Sequence, residues 1–478
     1  MATEDLPNDL RAFLESCEVP GAAGFGDDTP LLTSGAIDSV ALFNLVGWIE
    51  ARIGRVVDPT AIELPGDWDS ISKIVRYVEL SASATPLPSA PPALTRAAPD
   101  PGAIDIVRYS AENAEQVARL QTLLWSPDPA LNQQYLRWKY MENPCGDGSD
   151  IYLAFDQEEL IGMRGFYPSQ WECHRERRRF DVLIADDLVI RDDHRNQGIL
   201  TQMMQVAVAD LRARGREYVF NLSGGVLTVL GSLAMGWRSA GQCEPTTRLP
   251  WQGSLRTALG RQVVRLPYFR RFAEPPNALP RAKRAPFAEL DRAAASNVVE
   301  HGRKLSISTN PKPAEMAELI SRLPYDGRIR HVRDESFLAW RFRNPLHEYR
   351  FLFAGQSSLD GYLVLQRSIA RTANQRVSIV DLEANDAPTR HALLDAAIRR
   401  GRFPELAAWV ATLDPGTVRD LQKRGFSPAD PHLTAYGCPC VLVRWTDDAR
   451  PPETWNVHGV NLLEFGNWDL RQIYTMAG

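Results

Sequence analysis

The sequence lacks any apolar run long enough to span a bilayer. Its first residues, Met1-Ala2-Thr3-Glu4-Asp5, are acidic and lack the basic and apolar regions of a secretory leader. These absences predict no membrane partner and a cytoplasmic location. Cysteine is scarce, with six in 478 residues, which excludes a disulfide framework in a chain this long. Cys438-Pro439-Cys440 has one residue between its thiols, tighter than a zinc pair, and no second pair or histidine stands at ligand spacing. No metal site is therefore expected.

What is present is the composition of a globular protein, 44% hydrophobic and 24% charged, long enough for two to four domains. The net charge of −5 hides an asymmetry. Residues 1–80 carry 14 acidic and 5 basic side chains, so the rest is slightly basic. The basic extreme lies at 248–284, with nine Arg and Lys against Glu274. Such a stretch can contact nucleic acid, but the acidic N-terminal module is the nearer partner for it. No nucleic-acid partner is expected.

Residues 1–80 read as a small helical bundle. Helix one is predicted from about Pro7 to Cys17. A loop through Asp27-Asp28-Thr29-Pro30 leads to Asp38, a good N-cap. Helix two then carries Val40, Phe43, Val46 and Ile53 on an apolar face, with Leu42, Leu45 and Ile49 beside it. A further helix follows Trp68-Asp69-Ser70-Ile71. Residues 81–102 hold Pro86, Pro88, Pro91, Pro92, Pro99 and Pro101 among Ala and Ser, and read as a linker. Such a coil spans roughly 25 Å and could extend to about 70 Å, enough for the bundle to visit the body in cis.

The body contains a repeat. Tyr135-Leu136-Arg137-Trp138-Lys139-Tyr140-Met141-Glu142-Asn143-Pro144 recurs, one residue shorter, as Phe337-Leu338-Ala339-Trp340-Arg341-Phe342-Arg343-Asn344-Pro345. Two strand-like runs follow each copy, Ile151 to Phe155 and Leu160 to Phe166 in the first, Tyr349 to Ala354 and Gly361 to Leu365 in the second. Asp187-Leu188 lines up with Asp381-Leu382. Two tandem α/β lobes fit this pattern.

Two motifs carry chemistry. The run Gly35-x-x-Asp38-Ser39-Val40 opens helix two, and with the Val56-Val57 pair and Trp68-x-Ser70-Ile71 it resembles acyl carrier proteins over about 75 residues. That resemblance implies a 4'-phosphopantetheine arm on Ser39, installed by a phosphopantetheinyl transferase. The helix start suits the attached phosphate. Helix two has few acids besides Glu50, which departs from the family. The second motif is Asp186-Asp187-Leu188-Val189-Ile190 followed by Arg195-Asn196-Gln197-Gly198-Ile199-Leu200, a strand, a turn and a glycine-led helix. Exposed amides at such a helix start bind phosphate. It resembles the pyrophosphate loop of the GNAT acyltransferase superfamily, with Leu200 in place of the last small residue.

The GNAT resemblance implies that Leu188, Val189 and Ile190 pair their backbone with a pantetheine arm. It implies a gap between this strand and Tyr218-Val219-Phe220-Asn221. Asp187 then stands where relatives carry an acid facing the acceptor, as a base acting directly or through water, with Asn221 placing the acceptor. Asp186 should point to the other side of the strand. Ser232 occupies the place of the family's acidic tyrosine, before Gly236-Trp237, and a serine hydroxyl is a poor acid. His194 reads as a surface residue. Lobe two has Glu383-Ala384-Asn385-Asp386 at the loop position, without glycine, and reads as a structural or acceptor-site half without a cofactor.

The expected fold class is thus multidomain: an all-α four-helix acyl-carrier-like bundle followed by α+β tandem GNAT lobes, with mixed, mostly antiparallel sheets flanked by helices. The expected boundaries are a carrier at 1–80, a linker at 81–102, a first, catalytic lobe at 103–250, a basic connection at 251–300 and a second, degenerate lobe at 301–478. The expected function is a carrier-fused N-acyltransferase of specialised-metabolite biosynthesis. It would move an acyl group from the Ser39 arm to a small-molecule amine. In an alternative, lobe one uses acyl-CoA to load or acylate its own carrier. In another, the lobes are a non-catalytic docking scaffold. Partners would be the amine acceptor, acyl-CoA or an acyl-loading enzyme, and the carrier in cis.

Overall fold

A computed structural model describes residues 5–17, 19, 21–32, 36–37, 39–53, 67–81, 104–146, 150–194, 197–224, 229, 232–233, 235–243, 245–248, 287–294, 298–370, 376–428, 440–447 and 455–476. It divides into two units, one of residues 1–242 with 435–468, the other of residues 243–434 with 469–478.

The first unit begins with helices α1 (Leu6–Ser16), α2 (Ser39–Ile53) and α3 (Ile71–Ser81). Asp5 caps α1, accepting from the Asn8 amide, and a proline sits in its first turn. The loop before α2 is tied to the start of α3. The Leu31 amide donates to the Asp69 carbonyl and the Leu32 amide to its side chain. Leu10, Leu14, Leu42, Leu45, Ile49, Ile53, Ile71 and Ile74 are all sealed from solvent. Ala41, Val46 and Trp48 are buried too, so α2 is covered over most of its circumference. A helix apolar on so many sides needs cover on more than one. The apolar cluster that holds these residues also holds Val229, Leu233 and Trp237, with Leu200 and Met235 packed against it.

Next come β1 (Ile104–Arg108), α4 (Ala114–Leu120), α5 (Pro129–Leu136), β2 (Ile151–Asp156), β3 (Glu159–Cys173), β4 (Arg178–Ile190), α6 (Ile199–Ala213), β5 (Tyr218–Gly224) and β6 (Arg238–Gln242). Strands β1 to β4 form an antiparallel meander, and β4 runs parallel to β5. The strand beyond β5 comes from far down the chain. Cys440–Trp445 lies between β5 and β6, antiparallel to both. Its Leu442 and Val443 are wholly buried.

The second unit repeats the plan. Its sheet holds β7 (Pro245–Arg248), β8 (Val298–Glu300), β9 (Arg303–Ser308), β10 (His347–Ala354), β11 (Gly361–Ser368), β12 (Val377–Ala384), β13 (Leu406–Trp409) and β14 (Ser427–Pro428), in the order β14-β7-β13-β12-β11-β10-β9-β8. Helices α7 (Ala288–Ala294), α8 (Pro313–Arg322), α9 (Glu335–Arg341), α10 (Ala387–Gly401) and α11 (Pro415–Lys423) accompany it. β12 and β13 are parallel, as β4 and β5 are. The strand beside β13 is β7, from before the unit's own body. Both sheets are mixed and mostly antiparallel, the GNAT-like α+β architecture expected.

The lobes, however, are not consecutive blocks. Expected boundaries at 250 and 301 place 440–445 wholly in lobe two and 245–248 in lobe one. Instead 440–445 stands in the first unit's sheet and 245–248 in the second's. The strand runs were legible, but which sheet they join is a long-range pairing with no local signature. For the bundle, three α-helices are described. The stretches 54–66 and 82–103 lie outside the described residues; of the linker expected at 81–102 only Ser81 is described, and it ends α3. No helix among the described residues is long and apolar enough to cross a membrane.

This exchange gives an expected outcome. Residues 1–250 expressed alone lack the strand between β5 and β6. They should show no cooperative melt by circular dichroism, and should regain it when a fragment carrying 435–468 is co-expressed. A cooperative melt for 1–250 alone would mean that lobe one is self-sufficient.

Candidate functional site: a splayed strand pair over a buried carboxylate clamp

β4 and β5 pair at only two positions, Leu183 with Val219 and Ile184 with Phe220. Beyond these, β4 runs on to Ile190 without pairing to β5, whose other edge pairs with the strand 440–445 from Tyr218 to Gly224. Asn221, buried in β5, is the first residue past the last β4–β5 pair. The two strands therefore part at the level of Asn221, with Asp186 and Asp187 on the facing stretch of β4.

Below the gap lies a buried ionic cluster. The Lys139 ammonium is sealed from solvent and donates to Asp186 Oδ2 at 2.8 Å, Asp187 Oδ1 at 2.9 Å and the Tyr135 hydroxyl at 3.2 Å. The Tyr140 hydroxyl donates to Asp187 Oδ2 at 2.8 Å, and Trp125 Nε1 to Asp187 Oδ1 at 3.0 Å. The rings of Trp125, Tyr135, Tyr140 and Tyr167 surround the Lys139 ammonium, with centroids 5.1 to 5.9 Å away. Lys139 and Tyr140 are adjacent in sequence. They reach the same carboxylate because α5 runs into a π-helical turn, Arg137–Met141. Gly165 makes the room, since a side-chain carbon there would lie 1.8 Å from the Tyr140 oxygen.

Burial pushes the Asp187 carboxyl above its ordinary range; the Lys139 charge opposes this, and the Asp186 charge adds to it. Burial first, then Asp187 and Asp186, hold the Tyr140 hydroxyl well above the usual tyrosine range. Arg164 is buried beside them, its basicity lowered by burial and supported foremost by Asp186. Two cations thus face two carboxylates, which is how a core tolerates charge.

This corrects two expectations. Asp186 and Asp187 do not diverge across the strand; both reach Lys139. Asp187 has φ 50°, the left-handed region, where the register of β3 against β4 shifts, so strict alternation fails there. Nor is Asp187 placed to take a proton by direct contact. Its side chain has no exposed surface and accepts from three donors, whereas Asp186 keeps 8%.

The other residues singled out divide by position. Leu188, Val189 and Ile190 end β4. Gly198 takes φ 71° and opens α6, with open space where a side chain would stand. Ile199 is buried on α6, and Leu200 packs against the cluster shared with the bundle. Gln197 lies within reach of the Asp193 carbonyl at 3.5 Å. Arg195 and Asn196 lie outside the described residues. Ser39 begins α2; its side chain and Asp38 are not described. His194 sits between Asp193 at 2.9 Å and Asp156 at 3.3 Å, which raises its pKa, Asp193 foremost. Ser232 is buried, and Gly236 holds φ 83° before the buried Trp237. Among the described residues no cluster of His, Cys, Asp and Glu could hold a metal ion.

The description of one family model, acetyltransferase (GNAT) domain, matches residues 105–224. That stretch spans the meander, the clamp, the phosphate-loop region and the splayed pair. Residues 105–224 form a GNAT acyltransferase domain. No curated protein matches the sequence. Among solved structures, a GCN5-related N-acetyltransferase from Anabaena variabilis is similar at 10% identity and TM-score 0.47, covering 72% of this chain and 73% of that one. A probable N-acyltransferase from Enterococcus faecalis is similar at 12% identity and TM-score 0.47, with 72% and 73% covered. A tandem GNAT protein from the clavulanic acid biosynthesis pathway is similar at 13% identity and TM-score 0.44, with 72% of this chain and 99% of that one covered.

Sequence reasoning missed the clamp. Lys139 and Tyr140 stood in the repeat and served only to align it. Trp125 and Gly165 carried no motif. Gly165→Ala should force Tyr140 off Asp187 and cost about 3 kcal/mol, from overpacking and a lost charge-assisted bond. Chemical denaturation checks this; a loss below about 1 kcal/mol would mean Tyr140 has room to move.

Proposed function

We propose that this chain is a carrier-fused N-acyltransferase that serves the biosynthesis of a specialised metabolite. The acyl group rides as a thioester on a phosphopantetheine arm at Ser39, and lobe one transfers it to a small-molecule amine. The observation that carries the reading is the parting of β4 from β5 beside the Gly198-led helix, in a unit whose N-terminal bundle starts α2 at Ser39. The apolar cluster common to the bundle and to Leu233 and Trp237 supports delivery in cis.

The arm enters between β4 and β5, with the backbone of Leu188, Val189 and Ile190 along its amides. Arg195, Asn196, Gln197, Gly198, Ile199 and Leu200 form the phosphate loop. The amine nitrogen attacks the thioester carbonyl, the carbon–sulfur bond breaks, and the sulfur leaves as a thiolate. A thiolate needs little acid assistance, which suits Ser232 at the position of an acidic tyrosine. The proton from the ammonium passes to water and on to Asp186, the carboxylate of the pair that water reaches. Asp187 acts through the geometry of the strand, and Asn221 orients the acceptor at the mouth of the gap.

A second reading rests on the phosphate loop. A glycine-led helix start suits the pyrophosphate of free CoA, whereas a carrier arm brings one phosphate. In that reading acyl-CoA enters lobe one and the carrier is the acceptor. Mass spectrometry of the intact phosphopantetheinylated protein tests both. We expect label from a preloaded arm to leave only when an amine is added. Label passing from acetyl-CoA to the arm, and lost in Ser39→Ala, would favour the second reading. No transfer by either route would leave a docking scaffold, and failure of Ser39 to accept the arm would remove both.

A further inference from the structure

The described non-glycine residues with positive φ lie in turns or at helix ends, with one exception: Gln157, His174, Arg177, His301, Arg402 and His458 are all such positions. Asp187 alone is inside a strand. A left-handed backbone there costs roughly 1–2 kcal/mol and persists only where its surroundings enforce it. The enforcement is visible. Lys139, Tyr140 and Trp125, all from the stretch 125–140, donate to this one carboxylate.

Lobe two is an internal control. Its Asp381 occupies the repeat position of Asp187 and is equally buried, yet it is not among the positive-φ residues. Its partners differ: Arg333 at 2.8 Å, Tyr362 at 2.7 Å and Arg471 at 3.1 Å. Arg341, the counterpart of Lys139, turns instead to the carbonyls of Ile473 and Thr475 and to Gln366. Arg471 donates to the carbonyl of Leu382, the counterpart of Leu188, at 2.9 Å. In lobe two an arginine of the C-terminal segment thus holds the carbonyl that corresponds to that of Leu188. The strained aspartate and its three donors occur in the lobe that keeps the phosphate-loop glycine.

We propose that Lys139, Tyr140 and Trp125 are positioning residues. By pinning Asp187 they fix the bulge in β4, and so set the angle at which Leu188, Val189 and Ile190 meet a pantetheine arm. This rests on the reading of lobe one as the thioester site. Binding of coenzyme A to the full chain without its arm, by calorimetric titration, tests it. Tyr140→Phe keeps the ring and removes only the donor; Trp125→Phe does likewise with less bulk. Each is expected to weaken CoA binding about tenfold, the scale of a small misplacement. Asp187→Asn, which tolerates the left-handed backbone, should bind better than Asp187→Ala. A cluster serving stability alone would lower the melting temperature and leave CoA affinity unchanged, and that result in Tyr140→Phe would overturn the proposal. A wild-type chain that binds neither CoA nor free phosphopantetheine would overturn the reading of lobe one, and this inference with it.

Discussion

A charged carboxylate buried in a protein core has to be paired, and in lobe one that demand falls on Asp187. Leaving a buried ion without its partner costs about 3–5 kcal/mol, a large share of a domain's stability. The local features around it meet that demand. The π-helical turn sets Lys139 and Tyr140 toward one point. Gly165 leaves space for the tyrosine oxygen, and the shifted register of β3 against β4 lets two successive aspartates reach one ammonium. Asp187 is therefore a structural centre of the gap before it is a chemical one. Its neighbour Asp186 is the less enclosed of the two carboxylates.

The second constraint is topological. Each sheet is completed by a strand from the other part of the sequence, 440–445 in the first unit and β7 in the second. A cut of the chain at 250 would therefore leave the first unit's sheet without the strand 440–445. In lobe two the buried charges are rearranged rather than erased: Arg333 and Arg471 neutralise Asp381 and Glu383, and Arg471, from the C-terminal segment, holds the carbonyl of Leu382.

Much of this was legible in the chain. The apolar period located α1 to within a residue and the starts of α2 and α3, because bundle helices bury regular apolar faces. The repeat located β2, β3, β10 and β11. The sequence also identified Asp187-Leu188 with Asp381-Leu382, and the structure sets both in equivalent central strands. Three things were not legible. Strand exchange depends on pairing across about 200 residues, for which no local signal exists. The orientation of Asp186 followed strict alternation, and a bulge breaks alternation without a sequence mark. The clamp joins Trp125, Lys139, Tyr140 and Asp187 from three elements, and only the fold brings them together.

The functional account joins two ends of the first unit. Ser39 opens a helix in the acidic bundle, and the parted strands lie in a GNAT acyltransferase domain at 105–224. What distinguishes this account from an enzyme that merely contains both parts is delivery within one molecule. A tethered arm meets its site at an effective concentration set by the linker, not by the amount of protein. The decisive measurement is the rate at which acyl groups leave a preloaded Ser39 arm after an amine is added, followed by rapid quenching and intact-protein mass over about a hundredfold range of dilution. The account predicts a first-order rate constant that does not change with dilution. A rate constant that falls in proportion to protein concentration would contradict it.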